Sequence, residues 1–349
     1  MRSTDKPPTT GIAPISAGAA GAGVLPADYQ PPVRSLAPVL DLGRWLDGSD
    51  KAGVARQFDR ICRDIGFFYL RGHGIPQALM DGMLTQTAAF FALPEADKRA
   101  LTVDRRRRGY EPFGLQSLDF TAPPDIKESL LIGIGQGPDH PLVQAGLANY
   151  GANQWPPEHA VPGFRSQCES YFSALLQLGH TLMAVFASVA GLPESYFDAM
   201  LVDPMVTLRL IHYPPQAGEV VDRQIGCGSH TDWGAVTLLL QDEVGGLEVQ
   251  DASGEWLFAD PQPGAFVVNV GDMMPVWTNG AYHSNRHRVR NRDPQRHRYS
   301  APFFIDPNYH AVVRCLDAFR SAEEIPRHSP RTVGEHIDLM YALSYGQAS

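Results

Sequence analysis

Cysteine is scarce: Cys62, Cys168, Cys227 and Cys315 are the only four in 349 residues, and no two form a C-x-x-C pair. That excludes a disulfide framework and a thiolate zinc site, and fits reduced thiols in a cytoplasmic protein. No stretch approaches the eighteen or so consecutive apolar residues that span a bilayer, so no membrane partner is expected. The N-terminus lacks a basic segment followed by a continuous apolar one. The small-residue run Ala17 to Leu25 is broken by glycines, so no signal peptide is expected either. Basic charge is also short, with 29 Lys plus Arg against 38 Asp plus Glu and a net charge of −9. Phosphate binding needs the opposite balance, which argues against nucleic acid as the main partner. The one basic run, Arg105 to Arg108, reads as a solvated loop. Residues 1–33 have almost no large apolar side chain and read as a flexible tail, because their burial could not offset the entropy of ordering.

What is present is a globular composition, 44% hydrophobic and 19% charged, over a length that suits one large or two ordinary domains. Order is expected from about Ala37, with a short strand at Pro38–Leu42. Val54, Phe58, Ile61, Cys62 and Ile65 recur at three- and four-residue steps, with Arg56, Arg60 and Arg63 off the stripe, which predicts a helix from Lys51 ended by Gly66. Phe67–Leu70 reads as a buried strand and Gly72-His73-Gly74 as a turn. Further helices are expected over Gln77–Ala92, Glu95–Leu101 and Phe164–Ala190. After Gly191-Leu192-Pro193 the pattern changes to short strands, at Val206–His212, Val236–Gln241, Leu247–Gln250, Ala265–Val270, Arg286–Arg290 and Tyr299–Ile305. Tight turns such as Gly245-Gly246, Asn279-Gly280 and Arg292-Asp293-Pro294 separate them, which indicates a sandwich or barrel. The division is therefore a helix-rich region over 34–190 and a β-rich region over 191–349 with a last helix near Val333–Leu343.

The chemistry concentrates in Gly228-Ser229-His230-Thr231-Asp232-Trp233-Gly234. In extended chain, residues two apart face one side, so His230 and Asp232 can converge on a point. A second imidazole would complete a facial metal site with its opposite face open. His287 and His283 share the strand parity that this needs, whereas the parity of Cys227 puts it on the face opposite His230. Arg298 and Ser300 form a second cluster on one strand face, where a guanidinium fork beside a hydroxyl suits a carboxylate. Arg292, Arg296 and His297 read as loop residues, His73 and His180 as structural histidines, and His212 as turned away from its neighbour Tyr213. Asp272 and Asn279 read as turn residues.

With these pieces in order, the stretch from Leu208 to Pro307 resembles the isopenicillin N synthase-like branch of the Fe(II)/2-oxoglutarate-dependent dioxygenases. The resemblance rests on Arg209 to Pro215, His230 to Gly234, Leu238 to Gln241, Val244 to Val249, Val268 to Asp272, Thr278 to Ser284, His287 to Val289, and Arg298 to Ser300 with Phe303-Phe304. Looser matches at Asp64 to Tyr69, Gly72 to Ile75 and Arg108 to Tyr110 extend it to about Val39. It implies an α+β fold with a β-rich core, a distorted double-stranded β-helix (jelly roll) flanked by helices. It implies Fe(II) held by His230, Asp232 and His287, the last preferred over His283 for its trailing Arg288-Val289. Arg298, Ser300 and Tyr213 would hold the distal carboxylate of 2-oxoglutarate. Ile211 stands where relatives often carry Asn, so a co-substrate contact attributed to that Asn has no counterpart here. The implied activity is O2-dependent hydroxylation, desaturation or ring closure of a small molecule, coupled to decarboxylation of 2-oxoglutarate to succinate and CO2. A 2-oxoglutarate-independent Fe(II) oxidase and a non-catalytic binding protein on the same scaffold stay open. By family analogy Tyr110, Phe113, Phe120, the strand Glu128–Ile134 and Trp233 line the pocket of an aromatic or hydrophobic substrate, or of an amino acid. A monomer is favoured.

Overall fold

The computed structural model describes residues 32, 34–36, 38–119, 123–215, 225–293 and 295–345. The expected tail over 1–33 lies outside these residues apart from Pro32, and so do Ala37, Phe120 and Pro294.

Two sheets form the centre of the fold. From edge to edge the eight-stranded sheet runs Val39–Asp41, Phe67–Arg71, Phe266–Val270, Val236–Gln241, Arg298–Ile305, Thr207–Tyr213, Glu128–Gly133 and Gly109–Glu111. The five-stranded sheet runs Arg34–Ser35, Trp256–Phe258, Leu247–Gln250, His287–Val289 and Cys227–His230. Pairing is antiparallel except where Val39–Asp41 meets Phe67–Arg71 and Arg34–Ser35 meets Trp256–Phe258. Strands from both halves of the chain share the larger sheet. A cavity between the sheets is lined from each of them, which is the jelly-roll arrangement.

Strict alternation separates chemistry from packing. Thr207, Arg209, Ile211 and Tyr213 on one strand, and Arg298, Ser300, Pro302 and Phe304 on its neighbour, line the cavity. The residues between them, Leu208, Leu210, His212, Ala301 and Phe303, are buried on the outer side. There the helices Gln77–Phe91 and Phe164–Val189 pack against the sheet. Phe172 meets Phe303 edge-on with ring centroids 4.9 Å apart, and the helix comes so close that a Cβ at Gly179 would sit 2.5 Å from Ile305 Cδ1. By length and composition Phe164–Val189 could cross a membrane, but half of its most apolar window is buried in the fold.

Local signals explain the flanking elements. Asp50 caps the helix Lys51–Asp64 by accepting from the Gly53 amide at 2.9 Å. Val54, Phe58, Ile61 and Cys62 are its buried stripe, and Gly66 follows at φ +65°, where a Cβ would run into the His283 carbonyl. The strand Trp256–Phe258 and the short helix Met273–Trp277 were not anticipated. A five-residue apolar run after the Gly271-Asp272 turn is too short to show a helical period.

The run Arg105–Arg108 corrects an expectation, because it is not a uniformly solvated loop. Arg105 is exposed, but Arg108 is among the largest fully buried side chains. Its guanidinium donates to the Asn149 and Arg107 carbonyls, and burial pulls its pKa down to about 10. Charge runs say nothing about alternation, and here backbone carbonyls solvate one member of the run internally. His212 is turned from the cavity as expected: its Nδ1 lies 2.6 Å from Glu128, a carboxylate that also accepts from Lys98 Nζ at 2.6 Å and Tyr110 Oη at 2.5 Å.

Leu238 is fully buried in the middle of the larger sheet. Leu238→Ala is expected to lower stability by about 2–5 kcal/mol, and Leu238→Met by less than about 1.5 kcal/mol, in denaturant unfolding.

Candidate metal centre and carboxylate site

His230 ends the strand Cys227–His230, and His287 begins its antiparallel neighbour His287–Val289. The two are direct register partners. Asp232 lies two residues past His230, and one ligand-type atom from each of the three lies within 4.8 Å of the others. The Asp232 Oδ1 is 3.8 Å from His230 Nε2 and 3.5 Å from His287 Nε2.

The surroundings orient each donor. His230 Nδ1 is 2.8 Å from the Gly228 carbonyl and His287 Nδ1 is 3.3 Å from the Asn285 carbonyl. A carbonyl can only accept, so both Nδ1 atoms carry the proton and both Nε2 lone pairs face the centre. Asp232 Oδ2 accepts from Thr237 Oγ1 at 2.5 Å and Asn269 Nδ2 at 2.7 Å, which leaves Oδ1 free for a cation. Burial pushes the His230 pKa well down, reinforced by the adjacent His287. Burial alone would raise Asp232, but His287, His230 and Asn269 together hold it low. A buried carboxylate beside two imidazoles is the donor set of a divalent metal with an open face. The site residues therefore fit iron.

One register detail overturns an expectation. Val289 pairs with Cys227, so two steps on one strand span three on the other, which is a bulge. Simple alternation would turn Cys227 from His230. Instead it lines the same cavity, with Sγ 3.9 Å from His230 Nδ1 and 3.2 Å from Lys127 Nζ. Its thiol is pushed up to about 11 by burial. His283, by contrast, is exposed and lies outside the cavity.

Arg298, Ser300 and Tyr213 line the cavity with the three metal-type residues. Arg298 is fully buried. Its Nε donates to the Gly245 carbonyl at 2.6 Å, its Nη2 to Gln241 Oε1 at 3.2 Å and its Nη1 to Ser300 Oγ at 3.4 Å, and it stacks 4.8 Å from the centre of the Tyr213 ring. Among the described residues it forms no ion pair with a carboxylate. A desolvated guanidinium whose hydrogen-bond partners are all neutral is costly unless an anion joins it, so these residues fit a bound carboxylate. Burial raises the Tyr213 hydroxyl to about 12, so it stays a donor.

Of the expected pocket residues, Trp233 and Leu131 line the cavity. Tyr110 is fully buried against Glu128 instead, and Phe113 is largely exposed. Residues not foreseen complete the wall. Lys127 pairs with Asp125 at 2.5 Å, and Arg209 pairs with Glu111 at 2.5 Å. Ile337 and Tyr341 come from the C-terminal helix Val333–Ser344. That helix is held by Arg107, which stacks 3.8 Å above the Tyr341 ring and pairs with Asp338 at 2.8 Å. Asp306 sits in the same wall, with burial and the Asp232 charge pushing it up to about 7. Asn269, a lone polar residue in the apolar strand Phe266–Val270, was the one signal that could have been read earlier. The space between these walls, open solvent at its mouth included, is about 1010 Å³.

Comparison with known proteins agrees with this chemistry. Residues 37–158 match the family model described as non-haem dioxygenase in morphine synthesis N-terminal, and residues 204–307 match that of the 2OG-Fe(II) oxygenase superfamily. The chain is 40% identical over 320 residues to the 2-oxoglutarate-Fe(II) type oxidoreductase hxnY of Emericella nidulans, covering 89% of this chain and 91% of that one. It is 37% identical to the clavatol oxidase claD of Penicillium crustosum, over 88% of this chain and 96% of that one. Among solved structures it is similar to a full-length Neurospora crassa protein in complex with alpha-KG and thymine, with a TM-score of 0.78 and 28% identity over 89% of this chain and 98% of that one.

Asn269→Leu removes one of the two hydrogen bonds that orient Asp232. It is expected to weaken Mn(II) binding about 10- to 100-fold in anaerobic titration without unfolding the protein.

Proposed function

Since this chain belongs to the 2OG-Fe(II) oxygenase superfamily and uses Fe(II), 2-oxoglutarate and O2 to oxidise a small molecule, we propose that His230, Asp232 and His287 hold its iron and that Arg298, Ser300 and Tyr213 hold the distal carboxylate of 2-oxoglutarate. The observation that carries this reading is the pairing, in one cavity, of a two-His, one-carboxylate cluster with a fully buried Arg298 whose described hydrogen-bond partners are neutral. Bound iron supplies the oxidising chemistry, insertion of oxygen into a substrate C–H bond coupled to conversion of 2-oxoglutarate to succinate and CO2.

The rest is the work of the protein. Hydrogen bonds from Thr237 and Asn269 keep Asp232 pointed at the centre, and the Gly228 and Asn285 carbonyls keep the imidazoles in the tautomer that ligates. Arg298 and Ser300 would hold the co-substrate carboxylate, and the full burial of Arg298 would make those charge-assisted bonds strong. Trp233, Leu131, Leu239, Phe304 and Ile337 exclude water and hold the apolar body of the substrate beside the metal. Hydroxylation of a small organic molecule is the proposed outcome. The paired, buried cations and the net charge of −9 support a small molecule over nucleic acid as partner, and the four unpaired cysteines support a cytoplasmic location.

The test needs no substrate. Under anaerobic conditions Fe(II) and 2-oxoglutarate should give the wild-type protein a saturable visible charge-transfer band. Arg298→Ala should raise the 2-oxoglutarate concentration for half-saturation at least about tenfold while leaving Fe(II) affinity unchanged. An identical titration in the variant would place the carboxylate elsewhere, and tight iron binding with no band would favour the 2-oxoglutarate-independent oxidase. His230→Ala or Asp232→Ala should abolish succinate release.

A further inference from the structure

Beyond the residues assigned to iron and 2-oxoglutarate, the charged side chains in the cavity wall can be matched in pairs. Lys127 is matched by Asp125, and Arg209 by Glu111. On the proposed function, the doubly charged metal and Arg298 are balanced by Asp232 and the dianionic co-substrate. One ionisable group is left over. Asp306 lines the cavity and is 94% buried, since its relative exposure is 6%. Its Oδ1 has no hydrogen-bond partner, and among the described residues its carboxyl joins no ion pair.

The position of Asp306 is specific. It follows the strand Arg298–Ile305, whose cavity-facing residues run Arg298, Ser300, Pro302 and Phe304. The strand therefore begins at the residues assigned to the co-substrate carboxylate and delivers Asp306 at its opposite end. There the carboxyl lies against Gly234, so closely that a Cβ at 234 would collide with Asp306 Oδ1. Gly234 closes the His230-Thr231-Asp232-Trp233-Gly234 segment, so Asp306 packs against the end of the segment that carries two of the metal-type residues, and Trp233 lines the same cavity. Trp233 and Tyr341 meet edge-on, with centroids 5.2 Å apart, in the same cavity. A buried carboxyl without a partner is costly. In a cavity that two aromatic side chains also line, it suits a ligand with an apolar body and a nitrogen that donates.

We propose that Asp306 is a specificity-determining residue that reads the prime substrate, and that this substrate is a small organic amine or basic nitrogen heterocycle whose protonated nitrogen pairs with the Asp306 carboxyl. This rests on the metal and co-substrate assignment above. A hydroxyl or methyl in place of the nitrogen leaves the carboxyl desolvated and without its counter-charge. A site built to bond one polar group discriminates strongly against analogues that lack it. Trp233 and Tyr341 add an aromatic surface that favours the cationic form.

The experiment uses matched probes, benzylamine against benzyl alcohol and cyclohexylamine against cyclohexanol. Each is titrated anaerobically into the Fe(II)- and 2-oxoglutarate-loaded protein, and perturbation of the charge-transfer band is read. Thermal shift of metal-free protein is measured in parallel, so that probe binding is read without the band. In the wild type each amine should act at a concentration at least about tenfold below its alcohol. In Asp306→Asn, which keeps shape and removes charge, the gap should shrink to less than about threefold, and Asp306→Glu should restore part of it. Equal response to both members of a pair, response to neither, or a preference that survives in Asp306→Asn overturns the proposal. Loss of the band in the wild type before any probe is added would instead count against the metal and co-substrate assignment, while the thermal shift still decides the role of Asp306.

Discussion

The site depends on one strand pairing. His230 and His287 are 57 residues apart in sequence and become neighbours only because Cys227–His230 and His287–Val289 lie antiparallel with those two residues in register. A slip by one residue would turn one imidazole out of the cavity, because side chains alternate along a strand. The bulge between this pair and Val289 with Cys227 absorbs one residue of mismatch without disturbing the histidines. It also turns Cys227 inward, which shows how locally a register controls what a cavity contains.

Around that pairing, the cavity wall holds more buried charge than a hydrophobic core could carry. Lys127, Arg209, Arg298, Asp232 and Asp306 all line it. Buried ions persist only when paired or well hydrogen-bonded, and most of these are met from inside the protein by Asp125, Glu111, backbone carbonyls or amide side chains. The groups left short of partners are therefore informative. Among the described residues Arg298 forms no ion pair and Asp306 Oδ1 lacks a hydrogen-bond partner, and the two residues lie at opposite ends of one strand. Internal compensation acts as a filter that leaves the ligand-facing groups visible.

The C-terminal helix ties the cavity to distant parts of the chain. Tyr341 and Ile337 reach the wall while Arg107 and Tyr309 bind Asp338, and Tyr345 donates to Glu111, the carboxylate that also holds Arg209. The same Glu111 thus links this helix to the cavity wall. Arg107 belongs to the basic run that composition alone assigns to solvent, and its neighbour Arg108 is buried outright.

The sequence by itself determined the element pattern and the chemistry. Periodicity of two and of 3.6, with capping and turn residues, set most strands and helices to within a residue or two, since these depend on local sterics and on which face is apolar. The pairs His230 with Asp232 and Arg298 with Ser300 were legible because strand alternation puts each pair on a common face, whereas only the family resemblance separated His287 from His283. Tertiary structure decided what alternation cannot. The bulge at Cys227 arises from pairing between strands, the burial of Arg108 from carbonyls that fold around it, and the entry of Lys127, Arg209, Tyr341 and Asp306 into the wall from elements far apart in sequence. Tyr110 and Phe113 were misplaced for the same reason, because an aromatic side chain carries no local mark of whether it faces a core, a cavity or solvent. Such choices are settled by desolvation and packing among distant segments, which no single stretch of sequence encodes.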